Sequence, residues 1–504
     1  MSRRAKSRIG FGCQLGLLSL ALLVGGSILR AASSQAAEAA AVDVFLWFDT
    51  EDYLLPESDG ALLRLATWLR ARGLRATFKL VGEKARVLER RDRRDVLEAL
   101  RFHAVGYHTD FHSVHPTPAE LLAHLGWYEG VAEFDRRERG GFEDVARITG
   151  RVPVCYGQPG SSWAPQVYGA LLRWGVPVYL DAAEHVDLQG QPFWYAGILG
   201  LQSLRHTLRA ELGGPEDLRL ARERFTAAYR DLQRNGGGVV SIYYHPCEFV
   251  HAQFWDAVNF AQGANPPRRL WRLPPTKDRQ AIATAFATFE SFVEFVAGHP
   301  GVRFRGADEA VALFRDEARG RAFSTTELRE FAARCAAGQI GYQVVGGVSV
   351  SAAEQLFLLA SATADGNSET GHRWRLPETP LLGPIRPQPA AGEHTVDWEQ
   401  VRVAAKDVHS FMLHHHRVPD EVWLGSRAVS PESFLAGLAT GFLAGDSSEP
   451  VVFRPAELVA ARHVRNDDGL WGWIIFPPGF SAPEMMALGA RQAWTLKPAL
   501  RQTD

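Results

Sequence analysis

From Val42 onward, short apolar runs rich in β-branched and aromatic residues alternate with longer runs whose apolar residues recur every three or four positions. The short runs predict strands: residues 42–48 (VDVFLWF), 76–82 (ATFKLVG), 104–109 (AVGYHT), 152–158 (VPVCYGQ), 176–181 (VPVYLD), 238–246 (GVVSIYYHP) and 302–306 (VRFRG). The longer runs, over 60–73, 94–103 and 282–299, predict amphipathic helices, the first ending at a glycine. Strands that alternate with helices imply parallel strands covered by helices. About eight strand candidates in succession fit a distorted (β/α) barrel, with a doubly wound open sheet as the alternative.

Two segments fall outside this alternation. The start is basic (Arg3, Arg4, Lys6, Arg8), then apolar from Ile9 to Leu29, then rich in small residues. That layout predicts an export signal cleaved near Ala36 or Ala37, or else an uncleaved membrane anchor, over residues 1–37. In either case the remaining chain is expected outside the cytoplasm: periplasmic, wall-associated or secreted. Beyond residue 320 the strand–helix alternation stops.

Composition narrows the function. Lys and Arg total 55 against 57 Asp and Glu, a net charge of −2, which argues against a nucleic-acid partner. Four cysteines without a CxxC exclude a disulfide scaffold and a zinc ribbon. No GxGxxG or P-loop follows a strand, so nucleotide binding has no support.

In a barrel the active site forms where the strands end. Polar residues gather there: Asp49-Thr50-Glu51-Asp52 after the first strand, His108-Thr109-Asp110-Phe111-His112 after the third, Gln158 after 152–158, Asp181 after 176–181, and His245 after the late strand. His108 and His112 share a face if their segment turns helical. Two imidazoles and a carboxylate from 49–52 make a zinc-type site with one position open. A second carboxylate is placed to act as general base, and His245 as general acid. Cys155 and Cys247 lie near these strand ends, either paired or as buried thiols.

This pattern resembles the polysaccharide deacetylases, carbohydrate esterase family four, also called the nodulation-type deacetylase homology domain. The matching text is FDTED (48–52), ATFKLVGE (76–83), VGYHTDFH (105–112), YGQPG (156–160), VPVYLD (176–181) and YYHP (243–246), spread over a domain of about 42–318. The resemblance implies a distorted (β/α) barrel, one divalent metal with zinc expected, and hydrolysis of acetyl groups on a glycan. It implies Asp49 as base, His245 as acid, His108 and His112 as metal ligands, and Glu51 or Asp52 as the third ligand. The family's third motif often carries an arginine that orients the base. Here Gln158 stands at that place, so a catalytically weak glycan-binding protein on the same fold is the alternative. Gln158, Asp181 and Trp194 are candidates for orienting or binding substrate. Trp163 and Trp255, like Trp194, are core or wall residues or sugar-stacking platforms.

Residues 320–504 form a mainly α repeat region. GGVSVSAAEQLFLLA (346–360) matches GSRAVSPESFLAGLA (425–439). Each copy predicts a helix, a short hairpin at glycine and a Ser-capped helix, over about 325–361 and 400–440. The repeats weakly resemble pseudomurein-binding modules, which implies a cell-wall polymer as a further partner. Residues 362–398 read in part as a Pro/Gly-rich loop. His414–His416 read as a polar helix end.

Overall fold

The computed structural model describes residues 39–365, 372–386, 392–445 and 449–502. The expected signal or anchor over 1–37 and parts of the expected loop over 362–398 lie outside them. The strand-like runs fold as β1 (Val42–Thr50), β2 (Thr77–Leu80), β3 (Ala104–Tyr107), β4 (Cys155–Tyr156) and β5 (Val178–Leu180). A hairpin follows, β6 (Phe193–Tyr195) and β7 (Ile198–Leu201), then β8 (Thr207–Leu208), β9 (Gly238–Tyr244) and β10 (Val302–Arg305).

These strands form one sheet in the order β6-β7-β5-β4-β3-β2-β1-β9-β8, with β10 paired to the start of β1. All pair in parallel except β6 with β7. The order advances with the chain on one side of β1, and the late strands return to its other side. On one face the sheet closes on itself: Phe45 and Trp47 of β1 share a buried cluster with Cys155 of β4, Val178 and Leu180 of β5 and Leu199 of β7, and Lys79 of β2 reaches Asp181 just past β5, where a doubly wound sheet would be covered by helices. The sheet is therefore a curled, distorted (β/α) barrel, and the open-sheet alternative does not hold.

Alternation along β1 sorts its residues between two cores. Val42, Val44, Leu46 and Phe48 pack outward against the surrounding helices, while Phe45 and Trp47 point into the barrel. Asp43 and Asp49 share the inward parity. At the closed end, buried Asp43 meets Arg303, Arg305 and Arg501 at 2.5–3.3 Å. At the other end, Asp49 opens into the cleft described below.

The chain beyond residue 318 divides by packing. A separate apolar cluster gathers residues from Ala318 to Phe453, joined by Trp494. Within it, helix Thr325–Cys335, hairpin Gln343–Val345/Val348–Val350 and helix Ala352–Ala364 form one unit. Helix Trp398–His415, hairpin Val422–Leu424/Arg427–Val429 and helix Pro431–Ala444 form the second. Ser351 and Ser430 cap their helices by accepting from the Glu354 and Ser433 amides. Gly346 and Gly425 take left-handed conformations at the hairpin turns, where a Cβ would be strained. Part of the expected loop is a strand, Arg373–Arg375, paired with Ala322–Ser324.

The stretch after Ala460 rejoins the barrel. Val464, Leu470, Phe476 and Met485 belong to the cluster that packs on its outer face. The short strand Lys497–Pro498 extends the sheet beyond β6. The buried Lys497 ammonium sits 2.7 Å from Asp316 and 2.8 Å from Glu354, tying barrel, terminal strand and repeat helix together. Lys497→Met would leave two carboxylates without their cation, at an expected cost of about 3–5 kcal/mol. The check is a chemical denaturation midpoint, and an unchanged midpoint would mean that this contact does not anchor the terminal strand.

Candidate active site

The cleft lies where β1, β2, β3 and β9 end, and its volume is about 610 Å³. Strand parity delivers its residues. In β1 the inward series 43, 45, 47, 49 continues to Glu51, which stands beyond Asp49 on the same side. Asp52 has the opposite parity and turns away. Its Oδ1 accepts from the Leu54 amide at 2.7 Å, and its Oδ2 faces buried His251 at 3.1 Å. Asp52 thus stands outside the cluster, and Glu51 is the acid that faces the two imidazoles.

His108 follows β3 on the inward side, but the segment after it is not helical. Thr109 and His112 adopt left-handed backbone conformations, with φ of 62° and 57°. The Thr109 hydroxyl accepts from the His112 amide at 3.2 Å and closes the turn. This tight turn, not a helical face, brings the two imidazoles to 4.9 Å between centroids.

Glu51, His108 and His112 each offer one ligand atom, and these atoms lie within 4.8 Å of one another. Both rings are oriented through their far nitrogens. His108 Nδ1 is 2.9 Å from the Gly157 carbonyl, and His112 Nδ1 is 2.6 Å from the Ser113 hydroxyl. The Nε2 atoms therefore face Glu51 Oε2, at 3.9 Å and 2.7 Å. Trp255 Nε1 donates to Glu51 Oε1 at 3.2 Å and fixes the carboxylate. Two imidazoles and one carboxylate, each held by an outer hydrogen bond, fit a divalent metal with an open position.

Electrostatics agree with this donor set. Burial drives His108 down to about 3, so its ring is a neutral donor. Burial disfavours charge on His112 also, but adjacent Glu51 outweighs it and raises the ring's pKa. Burial likewise opposes ionisation of Glu51, and His112 overcomes it, holding the carboxyl below its ordinary range. A cation bound here would displace the His112 proton.

Asp49 stands beside this cluster, with Oδ1 3.6 Å from His108 Nδ1 and Oδ2 3.8 Å from His245 Nε2. Burial opposes its charge, but the Lys79 ammonium and the protonated His245 hold its carboxyl below the ordinary range. Glu248 donates no proton here: its Oε1 accepts from the His245 amide at 2.7 Å and lies 3.6 Å from His245 Nδ1. Burial works against protonation of His245, yet Glu248, Glu51 and Asp49 lift it to about 9.

The charge beside Asp49 comes from Lys79, which was not singled out among the sequence candidates. The register of β1 and β2 places Lys79 next to Asp49. Its fully buried ammonium is 2.8 Å from Asp49 Oδ1 and 3.3 Å from Asp181 Oδ2, and donates to the Leu180 carbonyl at 2.8 Å. It also lies 4.0 Å over the Trp47 ring. Two glycines make room for it. A Cβ on Gly157 would meet the ammonium, and one on Gly106 would come within 2.8 Å of Lys79 Cγ. Asp181 is thereby a partner of Lys79, with burial raising it to about 6.

Gln158 lines the cleft but does not orient Asp49. Its Oε1 accepts from the Tyr179 hydroxyl at 2.6 Å, and its Nε2 donates to the Gly160 carbonyl at 3.1 Å. Trp194 lies outside the cleft lining: it is buried in the inner barrel core and pairs with Lys497. Trp163 and Trp255 are also fully buried. The rings that do reach the cleft are Trp47, Tyr243, Phe254 and Trp473. Cys155 and Cys247 are both free buried thiols.

A further wall comes from the chain's far end. Leu470, Trp473 and Ile474 line the cleft, and Trp473 lies edge-on to His112 at 5.7 Å. Gly160 lets the indole approach, because a Cβ there would fall 2.3 Å from it. The Gln262 and Gly263 amides donate to the Ile474 and Ile475 carbonyls and hold this segment in place. No local signal in residues 465–480 announces that position.

No family profile matches the chain, and no curated protein matches it. Solved structures with a related backbone include a protein from Mycobacterium smegmatis described as a polysaccharide deacetylase. It is 15% identical, with a TM-score of 0.37, over 55% of this chain and 91% of that one. The family 4 carbohydrate esterase from Streptomyces lividans in complex with acetate is 18% identical, with a TM-score of 0.29, over 53% and 92%. Puue allantoinase is 13% identical, with a TM-score of 0.35, over 54% and 91%. Likeness of this size leaves the chemistry to be argued from the residues themselves.

Proposed function

We propose that this chain is a metal-dependent hydrolase that removes acetyl groups from an extracellular or cell-wall glycan. The observation that carries the reading is the convergence of Glu51, His108 and His112 beside an ionised Asp49 and a protonated His245. Glu51, His108 and His112 would hold the metal, and zinc suits two imidazoles and a carboxylate. A bound divalent ion there supplies Lewis acidity toward the acetyl carbonyl and makes water easier to deprotonate. Asp49 accepts the proton of the attacking water. The water oxygen bonds to the acetyl carbon as the bond to the glycan nitrogen or oxygen breaks. His245 gives its proton to that departing atom, and acetate is left.

Lys79 bears on the rival reading of a glycan binder without turnover. That reading rests on an uncharged Gln158 where a cation would orient the base. Lys79 supplies a cation from the neighbouring strand, at 2.8 Å. Around this centre, Tyr243 and Trp473 offer apolar ring surface for a sugar. The same reading takes residues 1–37 as the export signal or anchor and gives the two C-terminal repeats a wall polymer as partner.

Metal stoichiometry after zinc reconstitution is the first test. The wild type should bind near one equivalent, with His108→Ala, His112→Ala and Glu51→Gln losing it. No metal in the wild type would sink the hydrolase reading. Asp52→Asn should keep the metal but lower stability by about 1–3 kcal/mol, because it weakens a buried charged contact. Loss of metal in Asp52→Asn would return that residue to the ligand set. Lys79→Met should keep the metal yet slow acetate release by about 10²-fold, the scale of a lost electrostatic contact in a dry site. Full activity in that variant would strip Lys79 of its orienting role.

A further inference from the structure

A second cavity, of about 630 Å³, adjoins the cleft and shares Ala182, Glu184 and Tyr243 with it. Both volumes fall within the range of about 300–1,000 Å³ typical of small-ligand sites, so the pair suits more than one sugar unit. The two cavities differ in the charged side chains that line them. The first holds five carboxylates, Asp49, Glu51, Asp181, Asp256 and the shared Glu184. The second is lined by Arg205, Arg209, Arg224 and Arg465, against Glu184 and Asp187.

Not all of these charges are available. Arg465 pairs with Glu184 and with Asp467, and Arg209 pairs with Glu248 at 2.7 Å and Glu211 at 3.2 Å. Asp187 Oδ1 is occupied by the Gly190 amide at 2.8 Å. Arg205 and Arg224 are different. Both are exposed. Arg205 reaches only the Gln189 carbonyl, at 3.5 Å, and Arg224 has no ion-pair or hydrogen-bond partner among the described residues. Two guanidinium groups thus stand without an ion-pair partner among the described residues, in a groove continuous with the cleft where Asp187 is the one carboxylate not already paired with an arginine. Guanidinium is suited to bidentate contact with carboxylate or phosphate oxygens. Arg209, held over the Tyr243 ring at 5.3 Å, connects that groove to the aromatic wall of the cleft.

We infer that the second cavity is a subsite for the acidic group of an anionic glycan, a hexuronate or a phosphate-bearing sugar. Arg205 and Arg224 take the anion, Tyr243 carries the intervening ring, and the neighbouring unit presents its acetyl group to Asp49 and His245. The acidic-group site stands on the groove alone, whereas the acetyl-bearing unit rests on the hydrolase reading above.

The experiment is calorimetric binding to the full chain of trigalacturonate, glucose 6-phosphate and neutral maltotriose. The wild type is compared with an Arg205→Gln/Arg224→Gln double variant, at low and high salt. The expected result is binding of an acidic sugar that weakens about tenfold or more in the double variant and at high salt, while maltotriose binds less well. Preference for trigalacturonate assigns the anion as a uronate, and preference for glucose 6-phosphate assigns it as a phosphate ester. Equal affinity for acidic and neutral ligands, or an acidic ligand held unchanged by the double variant, overturns the inference. Acetate release from acetylated pectin and acetylated xylan is followed in parallel. Acidic binding with no acetate from either polymer would remove the hydrolase reading and leave the groove. Acetate release without acidic preference would do the reverse.

Discussion

One ammonium group organises the open end of the barrel. Lys79 has no access to solvent, and an isolated charge there would cost several kcal/mol. Asp49, Asp181, a carbonyl and the Trp47 face offset that cost, and burial together with these partners fixes where each can point. Asp49 must lie beside β2, Asp181 must turn inward after β5, and Gly106 and Gly157 must lack side chains. Given that arrangement, His108 has its Nδ1 tied to the Gly157 carbonyl and its Nε2 free. The ligand geometry thus depends on a charge that ligates nothing.

Much of this site was legible in the sequence, because strands have a strict period of two. The β1 text reads outward and inward in turn, and counting on from Trp47 reaches Asp49 and then Glu51, leaving Asp52 on the other side. That count separates two acids that motif spacing alone leaves open. The same count applied to ATFKLVG places Lys79 inward, and a lysine there needs carboxylates. The His108–His112 pair was legible by composition but not by conformation, because two left-handed residues replace the expected helical turn. Trp194 sits in the inner core and not in the cleft, since size and aromaticity mark a residue for burial as readily as for binding.

The C-terminal third shows where sequence reading stops. The repeats were visible because glycine turns and Ser caps are local chemistry, repeated twice. The return of residues 460–502 to the barrel depends on contacts with partners hundreds of positions away, such as Arg501 on Asp43 and Tyr195 on the Gly489 carbonyl. No periodicity within the segment encodes those partners. The Trp473 wall, which narrows the cleft against Gly160, belongs to the same class of feature.

That wall has a consequence for the order in which the molecule becomes competent. A growing chain has Glu51, His108 and His112 by position 112 and its late histidine by 245, yet the cleft has no far side until residue 474 exists. The first strand likewise waits for Arg501 before its buried Asp43 gains its closest cation. Contacts that join the two extremes of a chain form late, since loop closure must precede them. The candidate site residues are therefore made long before the wall that closes the cleft around them, and an unfinished polypeptide carries the polar cluster without its enclosure.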